Sequence, residues 1–293
     1  MTTSSPTWPR PWRPAAADSP APYPMSKAGA PSSSLDAPAM TLFYLKLTIT
    51  PLLMWAISLA SRRWGGLLGG LLSGLPITSA LVMTFLCLEQ GTAFALGALP
   101  GALGGLAAVQ ATYTVYLLAT RTLGIAVAVL LALLFYGLAA YAFTHWGSLY
   151  LSIAVALVLI GMLIRASGRE PKPDTLARPR HRHWEIPLRM VSATSLLMIT
   201  TSLASWLGPA TSGMLAPIPV IAWPLVVFAH VQGGRAGMAA MVRGNAIGAV
   251  GVIAFYLVLA GLLETWGVGV TIGLAMLCAV VLTLGLAAVL RQR

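Results

Sequence analysis

The chain contains two copies of one apolar segment, and this repeat constrains the fold more than any other feature. Residues of the first copy recur in the same order 143 positions further on. The matches include Gly70, Pro76, Gly91, Gly101, Gly105, Tyr113 and Gly124, which recur as Gly213, Pro219, Gly234, Gly244, Gly248, Tyr256 and Gly267. Chance similarity between apolar stretches would match Leu and Ala, but not proline, tyrosine and spaced glycines in one register. We therefore interpret the pattern as a duplication.

The composition indicates an integral membrane protein. Hydrophobic residues make up 58% of the chain, charged residues 9%, and the mean hydropathy is +0.84. In a soluble domain, a net charge of +11 would indicate nucleic-acid binding. Here, however, the Lys and Arg residues lie between apolar segments, as in membrane proteins. Cys87 and Cys278 lie within apolar segments and show no disulfide or metal-ligand spacing. We expect no cofactor, no metal and no nucleic-acid partner.

Nine apolar segments are long enough to cross about 30 Å of hydrocarbon at about 1.5 Å per helical residue. They fall at 42–60, 66–88, 92–119, 123–143, 148–164, 187–206, 212–231, 236–262 and 267–289. No segment alternates apolar and polar residues with the period of a β-strand. The predicted fold class is all-α, a polytopic membrane protein with about nine transmembrane helices.

The basic residues predict the orientation, because cytoplasmic loops are enriched in Lys and Arg. In a nine-helix arrangement, one side of the membrane receives Arg62, Arg63, Arg121, Arg165, Arg169, Lys172, Arg178, Arg180, Arg182, Arg235, Arg291 and Arg293. The interhelical connections on the other side carry Glu89, His145 and Glu264 instead. We expect a bacterial cytoplasmic (inner) membrane protein with its N-terminus outside and its C-terminus in the cytoplasm.

The duplication divides the chain into four parts. Residues 1–40 form a polar, proline-rich tail predicted to be disordered, with Met40 or Met25 as the expected natural start. Residues 41–145 form the first four-helix repeat, 146–186 a spacer helix with a basic cytoplasmic loop, and 187–293 the second repeat. Equivalent helices are five places apart in the chain order, for example helix 1 and helix 6. Because five is an odd number, the second copy would lie upside down in the membrane. The predicted architecture is an inverted-topology repeat.

Residues 44–91 carry a family resemblance. Lys46 lies early in helix 1, Arg62 and Arg63 form its basic end, and Leu75-Pro76-Ile77-Thr78-Ser79 makes a turn in helix 2. This pattern resembles that of the GlpM-type small bacterial membrane proteins, which have four helices. The second copy departs from it, with Ile218-Pro219-Val220-Ile221-Ala222 in place of the turn. The resemblance implies a duplicated four-helix architecture and no particular activity, since that family has none established.

Two prolines near the middle of predicted helices are the first candidate binding features. Pro76 and Pro219 each remove a backbone donor and leave carbonyls that hydrocarbon cannot satisfy. The hydroxyls of Ser73, Thr78 and Ser79 are placed to line a polar cavity at such a break. An ordinary packing kink is the alternative interpretation, since proline is common in membrane helices.

Cations near the predicted cytoplasmic side are the second candidate. Arg243 lies about 12 Å into helix 8, where a charge is costly unless it is paired or hydrated. Together with His230, Asn245, Arg235 and Arg189 it would form a basic mouth that suits an anionic ligand, such as a phosphorylated or lipid headgroup. Lys46, near the outer end of helix 1 and equivalent in the repeat to Arg189 near the inner end of helix 6, completes the candidate set. The alternative is that Arg243 snorkels to lipid phosphates.

The positions of the acidic residues do not indicate an enzyme active site. Glu89 and Glu264 lie at outer helix ends, where a solvated loop acid is the favoured interpretation of Glu89. No Ser-His-Asp set, metalloprotease helix motif or phosphate-binding loop is present, so we expect no enzyme.

Two functional hypotheses remain. One is a transporter-like or flippase-like protein that binds or moves a small or amphipathic anion between its repeats. The other is a non-transporting accessory or scaffold protein in envelope or lipid organisation. Expected partners are the lipid bilayer, a small anionic or lipid-headgroup substrate and, as one option, a second copy in a homodimer.

Overall fold

The structure, a computed structural model, describes residues 36–168, 185–217 and 222–292. These residues form helices and turns and contain no strand. The helices are α1 (Asp36–Gly74), α2 (Ile77–Gln90), α3 (Thr92–Ala119), α4 (Ile125–Trp146), α5 (Leu149–Ser167), α6 (Glu185–Ser202), α7 (Ala204–Leu215), α8 (Ala222–Trp266) and α9 (Val268–Gln292). The chain divides into two units, Met1–Phe43 and Tyr44–Arg293. All contacts given below lie within the second unit.

Among the described helices, five are long and apolar enough to cross a membrane. Their spans are Thr92–Ala119, Ile125–Trp146, Leu149–Ser167, Val226–Trp266 and Val268–Leu290. Shorter apolar helices cover Met40–Ala56, Ile77–Gln90 and Met190–Ser202. The prediction of an all-helical membrane protein is confirmed at this level, but the prediction of nine full-length spans is not, because several apolar segments are divided.

The predicted helix 66–88 is one of the divided segments. Its first part continues α1, which runs without interruption through the connection that the sequence indicated near residue 62. The helix then breaks after Gly74, and α2 begins after Pro76. Proline has no N–H to donate to the preceding turn, so the helix cannot continue through Pro76 with its hydrogen bonds intact. The predicted helix 187–206 is likewise divided, between α6 and α7.

Two repeat-matched glycines separate the short helices from the long ones. Gly91, between α2 and α3, has φ 90 and ψ 165, a conformation that favours glycine. Its equivalent Gly234 has φ 59 and ψ −157 and divides α8 into a short first part and a membrane-length second part. We call these two residues the glycine joints. Residues 222–231 of the predicted helix 212–231 therefore form the first part of α8, and the predicted helix 236–262 lies in its second part, whereas residues 212–215 belong to α7.

The centre of the bundle is formed by α3 and α8. Of the most apolar window of each helix, 67% is buried, compared with 11% for α4 and 17% for α9. The spacer helix α5 packs against both α3 and α8. The outer helices present their apolar side chains outwards, as lipid-facing helices do.

Glycines allow close helix approach at the centre. A Cβ added to Gly74 would lie 3.0 Å from the Gly248 Cα, and one on Gly105 would lie 2.8 Å from the Pro217 Cγ. A Cβ on Gly101 would clash with the Ala210 carbonyl oxygen. Membrane helices associate through such small residues because hydrocarbon provides no hydrophobic drive between them.

Exposed aromatic residues collect at one end of the long helices. Trp146 ends α4, Tyr150 begins α5 and Trp266 ends α8, and their side chains are 75%, 82% and 57% exposed. The exposed Arg121 and Arg165 lie at the opposite end of the same bundle, after α3 and in the last turn of α5. Aromatic residues at helix ends are typical of the membrane–water interface.

The predicted domain boundaries are only partly covered. The spacer helix predicted at 148–164 coincides with α5. Residues 1–35 of the predicted tail and residues 169–184 of the predicted basic loop lie outside the described part of the chain.

Candidate functional site

A buried ion pair joins three of the shorter apolar helices. Lys46 of α1 forms a salt bridge with Glu89 of α2. Its Nζ also donates a hydrogen bond to the Thr201 Oγ1 of α6, over 2.6 Å, and lies 5.3 Å from the centre of the Phe85 ring. Lys46 is 3% exposed. A buried ammonium is costly unless it is paired, and these contacts supply the pairing. We call Lys46, Glu89, Thr201 and Phe85 the lysine site.

Hydroxyl groups lie on both α1 and α6, the helices that contribute Lys46 and Thr201 to the lysine site. The Thr201 Oγ1 donates to the Leu197 carbonyl while it accepts from Lys46, so both of its hydrogen-bonding functions are used. Thr50 lies one turn beyond Lys46 on α1, and Thr200 precedes Thr201 on α6; both are fully buried. Their Oγ1 atoms have no hydrogen-bond partner among the described residues. Each unpaired buried hydroxyl costs about 1–3 kcal/mol.

A second cluster connects the end of α3 with residues of α8 on both sides of Gly234. The Tyr116 hydroxyl lies 3.0 Å from the His230 Nδ1, and the Tyr116 ring packs edge-on against Trp223, with centroids 5.2 Å apart. Arg235 donates to the Thr120 Oγ1 over 3.0 Å and to the Leu117 carbonyl over 3.4 Å. A cation at the last carbonyls of a helix is favoured by the helix dipole. This cluster fixes the end of α3 against α8.

Arg243 lies beside the end of α5. Its side chain is half-buried, and its Nη1 lies 3.3 Å from the position of a Cβ on Gly168, the residue that follows α5. The negative end of the α5 dipole faces that position. Asn245 is buried with its backbone against Gly74. His230, Arg243 and Asn245 thus contact different neighbours, and the described contacts do not join them.

Several polar side chains in the centre of the bundle lack hydrogen bonds. Gln110 on α3 is fully buried, and both of its side-chain polar atoms lack a partner among the described residues. The hydroxyls of Tyr113, Tyr256 and Ser212 are in the same state. The Tyr256 hydroxyl lies beside Ser79 without the geometry of a good hydrogen bond. The repeat-matched tyrosines Tyr113 and Tyr256 are therefore both buried polar groups within α3 and α8.

The other predicted site residues have separate outcomes. Pro76 is buried at a helix break, as the sequence predicts, and Thr78 is half-buried in the first turn of α2. Pro219 lies outside the described residues, and so do the side chains of Ser73 and Arg189. Lys46 of α1 contacts both α2, through Glu89, and α6, through Thr201. No sequence motif specified these contacts.

Glu89 requires a correction. It was expected as a solvated loop acid, but its side chain is 21% exposed and pairs with Lys46. Lys46 and Glu89 were each predicted at the outer end of their helices, and their opposite charges at one membrane depth were the signal for a pair. Thr201 carried no such signal, because its contact with Lys46 crosses 155 residues of sequence.

Comparisons with protein-family models, curated proteins and solved structures give no match to this chain. Among the described residues, no group of three or more His, Cys, Asp or Glu side chains is placed to hold a metal ion.

Proposed function

We propose that the protein is a transporter-like or flippase-like membrane protein that binds or moves a small or amphipathic anion between two inverted repeats. In this proposal it is a duplicated GlpM-like protein of the bacterial inner membrane, with its C-terminus in the cytoplasm, and it performs no covalent chemistry.

The opposite directions of α3 and α8 carry the proposal. The span 92–119 of α3 is the repeat equivalent of 235–262 in α8. Arg235, at the start of the second part of α8, contacts Thr120, which directly follows α3. The start of one helix therefore contacts the end of its repeat equivalent. If both helices cross the same membrane, they run in opposite directions. This is the relation that inverted repeats require.

The contact between α1 and α6 supports the same relation. Lys46 lies in the first half of the apolar segment Met40–Ala56, whereas Thr201 lies at the end of Met190–Ser202. These segments are the first helices of the two copies. Their meeting start to end again favours opposite directions.

Reciprocal glycine contacts add a third argument. The close approach of Gly74 to Gly248 has an equivalent in the approach of Gly105 to Pro217, because Gly74 matches Pro217 and Gly105 matches Gly248 in the repeat. Each copy thus places its helix break against the central helix of the other. Broken helices at a repeat interface are typical of transporter binding sites.

The charge distribution favours an anion. The buried Lys46 and the half-buried Arg243 are cations within apolar helices. Intramembrane charges of this kind usually mark a substrate pathway. The acidic partner of Lys46 lies at the end of α2, whereas Arg243 lies beside the C-terminus of α5 and forms no ion pair with any carboxylate of the described residues.

The test is transport in proteoliposomes that contain the purified full-length protein. Uptake of small carboxylates and phosphates, and translocation of a fluorescent anionic lipid, are compared between the wild type, Arg243→Ala and the exposed control Arg165→Ala. We expect the Arg243 variant to be slower by at least tenfold and the control to match the wild type. Equal rates in all three would remove Arg243 from the mechanism, and no movement of any anion would remove transport.

The scaffold hypothesis is favoured by one observation, the close backbone contact at Gly101 and Gly105. Such packing suits a static bundle. Labelling of Thr78→Cys in a background without Cys87 and Cys278 separates the two hypotheses. Reaction with a water-soluble maleimide supports a hydrated path, whereas an inert thiol supports the scaffold.

A further inference from the structure

We propose that the lysine site is a carboxylate-binding site in which Glu89 is a built-in occupant that a ligand carboxylate displaces. The inference rests on the proposed function and deepens it, because it names the chemical group of the anion and the side chain that receives it.

The two members of the ion pair differ in their freedom. Lys46 is 3% exposed and is held by the Thr201 hydroxyl and the Phe85 ring. Glu89 has a side chain that is 21% exposed and lies in the last turn of α2. The lysine is therefore the fixed member of the pair, and the glutamate is the member that water can reach.

The backbone beside Glu89 favours such a movement. Gly91, two residues further on, is one of the glycine joints, with φ 90. A Cβ at Gly91 would meet no atom within 4 Å, so the joint has open space around it. The end of α2 can change direction there without a clash between side chains.

If Glu89 moved away, the Lys46 ammonium would lose its anionic partner. An unpaired buried ammonium is strongly unfavourable, so another anion has to take the place of the glutamate. The group displaced is a carboxylate on a short aliphatic stem, and the Lys46 Nζ that receives the ligand lies 5.3 Å from the centre of the Phe85 ring. The geometry therefore fits an aliphatic carboxylate.

A buried hydroxyl on α1 supports a ligand rather than a purely structural pair. Thr50 lies four residues from Lys46, on the same face of α1. Its hydroxyl is fully buried and has no hydrogen-bond partner among the described residues. In this proposal a carboxylate bound at the lysine site accepts from this donor, because buried polar groups are normally hydrogen-bonded.

Two sources supply the same chemistry, namely a short soluble carboxylate and a fatty acid from the bilayer. The experiment titrates the purified full-length protein in detergent with butyrate and, separately, with decanoate, using isothermal titration calorimetry. A higher binding free energy per methylene group for butyrate than for decanoate indicates a soluble ligand. A gain in affinity that continues along the chain to decanoate indicates a lipid source.

The variants isolate the displacement. Glu89→Gln removes the competing carboxylate and is expected to bind the probe at least tenfold more tightly than the wild type. Lys46→Met/Glu89→Gln lacks the cation as well and is expected to lose binding, while Lys46→Arg/Glu89→Gln retains it. Glu264→Gln, which removes an exposed acid at the end of α8, is the matched control and should behave as the wild type. A single peak in size-exclusion chromatography verifies the fold of each variant.

The proposal is overturned if Glu89→Gln binds no more tightly than the wild type, or if the double variant without Lys46 binds as well as Glu89→Gln. Failure of the proposed function looks different. If proteoliposomes move an anion at equal rates with and without Lys46, transport stands and the lysine site has no part in it. If no anion binds or moves in any form of the protein, both proposals fall.

Discussion

At the scale of single residues, the lysine site shows how a buried ammonium group is stabilised within apolar helices. The Lys46 ammonium has a carboxylate, a hydroxyl and an aromatic face around it. Loss of one member of a buried pair is far more costly than loss of both, because the remaining charge has no partner.

We expect Lys46→Met to destabilise the protein by about 3 kcal/mol, since Glu89 loses its counter-charge. The double variant Lys46→Met/Glu89→Gln should recover most of this loss, because neither charge then remains. Unfolding in detergent, followed by helical circular dichroism over a denaturant series, measures both free energies. Equal stabilities of the single and double variants would contradict a coupled pair.

The Tyr116 hydroxyl provides a second test at this scale. Tyr116→Phe removes the contact with the His230 Nδ1 while it retains the ring packing against Trp223. We expect a loss of about 0.5–1.5 kcal/mol in the same unfolding measurement. The exposed Tyr141, whose ring packs against that of His145 near the end of α4, serves as the control through Tyr141→Phe. A larger effect at Tyr141 than at Tyr116 would remove the role of the buried hydroxyl.

At the scale of elements, bare backbone contacts determine how the helices pack. Gly101 faces the Ala210 carbonyl, and Gly213 faces the Ala98 carbonyl, so α3 and α7 touch without side chains between them. The single glycine of α4, Gly137, is different, since a Cβ there would meet no atom within 4 Å. The same residue type is therefore a packing requirement in one helix and not in another.

Two alanine substitutions separate these roles. Gly101→Ala forces α3 and α7 apart and should cost about 1–3 kcal/mol, as overpacking does. Gly137→Ala enters open space and should be neutral or stabilising by up to about 1 kcal/mol, because alanine favours the helix. Thermal unfolding midpoints in one detergent compare the two. A neutral Gly101→Ala would show that the helices are less closely packed than the structure has them.

At the scale of the whole molecule, the central question is whether the two copies face opposite sides of the membrane. Thr122 follows α3 and Thr265 lies in the last turn of α8; both are exposed, and they occupy equivalent positions of the repeat. Inverted copies would place them in different aqueous compartments.

We expect Thr122→Cys and Thr265→Cys, each without Cys87 and Cys278, to be labelled from opposite sides of the membrane. An impermeant maleimide applied to intact cells and to inverted vesicles measures this. Thr122→Cys should react only in inverted vesicles and Thr265→Cys only in intact cells. Reaction of both from one side would exclude inverted repeats.

The repeat and the apolar composition were enough to predict an all-helical membrane protein, and Pro76 was enough to predict a helix break. Hydropathy could not distinguish a full span from two half-length helices, because both have the same mean apolarity. For that reason 66–88 was predicted as one helix, although it is divided at Gly74. The lysine site depends on the meeting of α1, α2 and α6, and a contact such as that of Lys46 with Thr201 leaves no local pattern in the sequence.

The close approach of Gly74 to Gly248 has a consequence for how the gene can change. One of these residues belongs to each half of the duplicated coding sequence, yet neither has room to enlarge while the other stays in place. A codon change to a larger residue in one half of the gene therefore requires that the backbone encoded by the other half move as well.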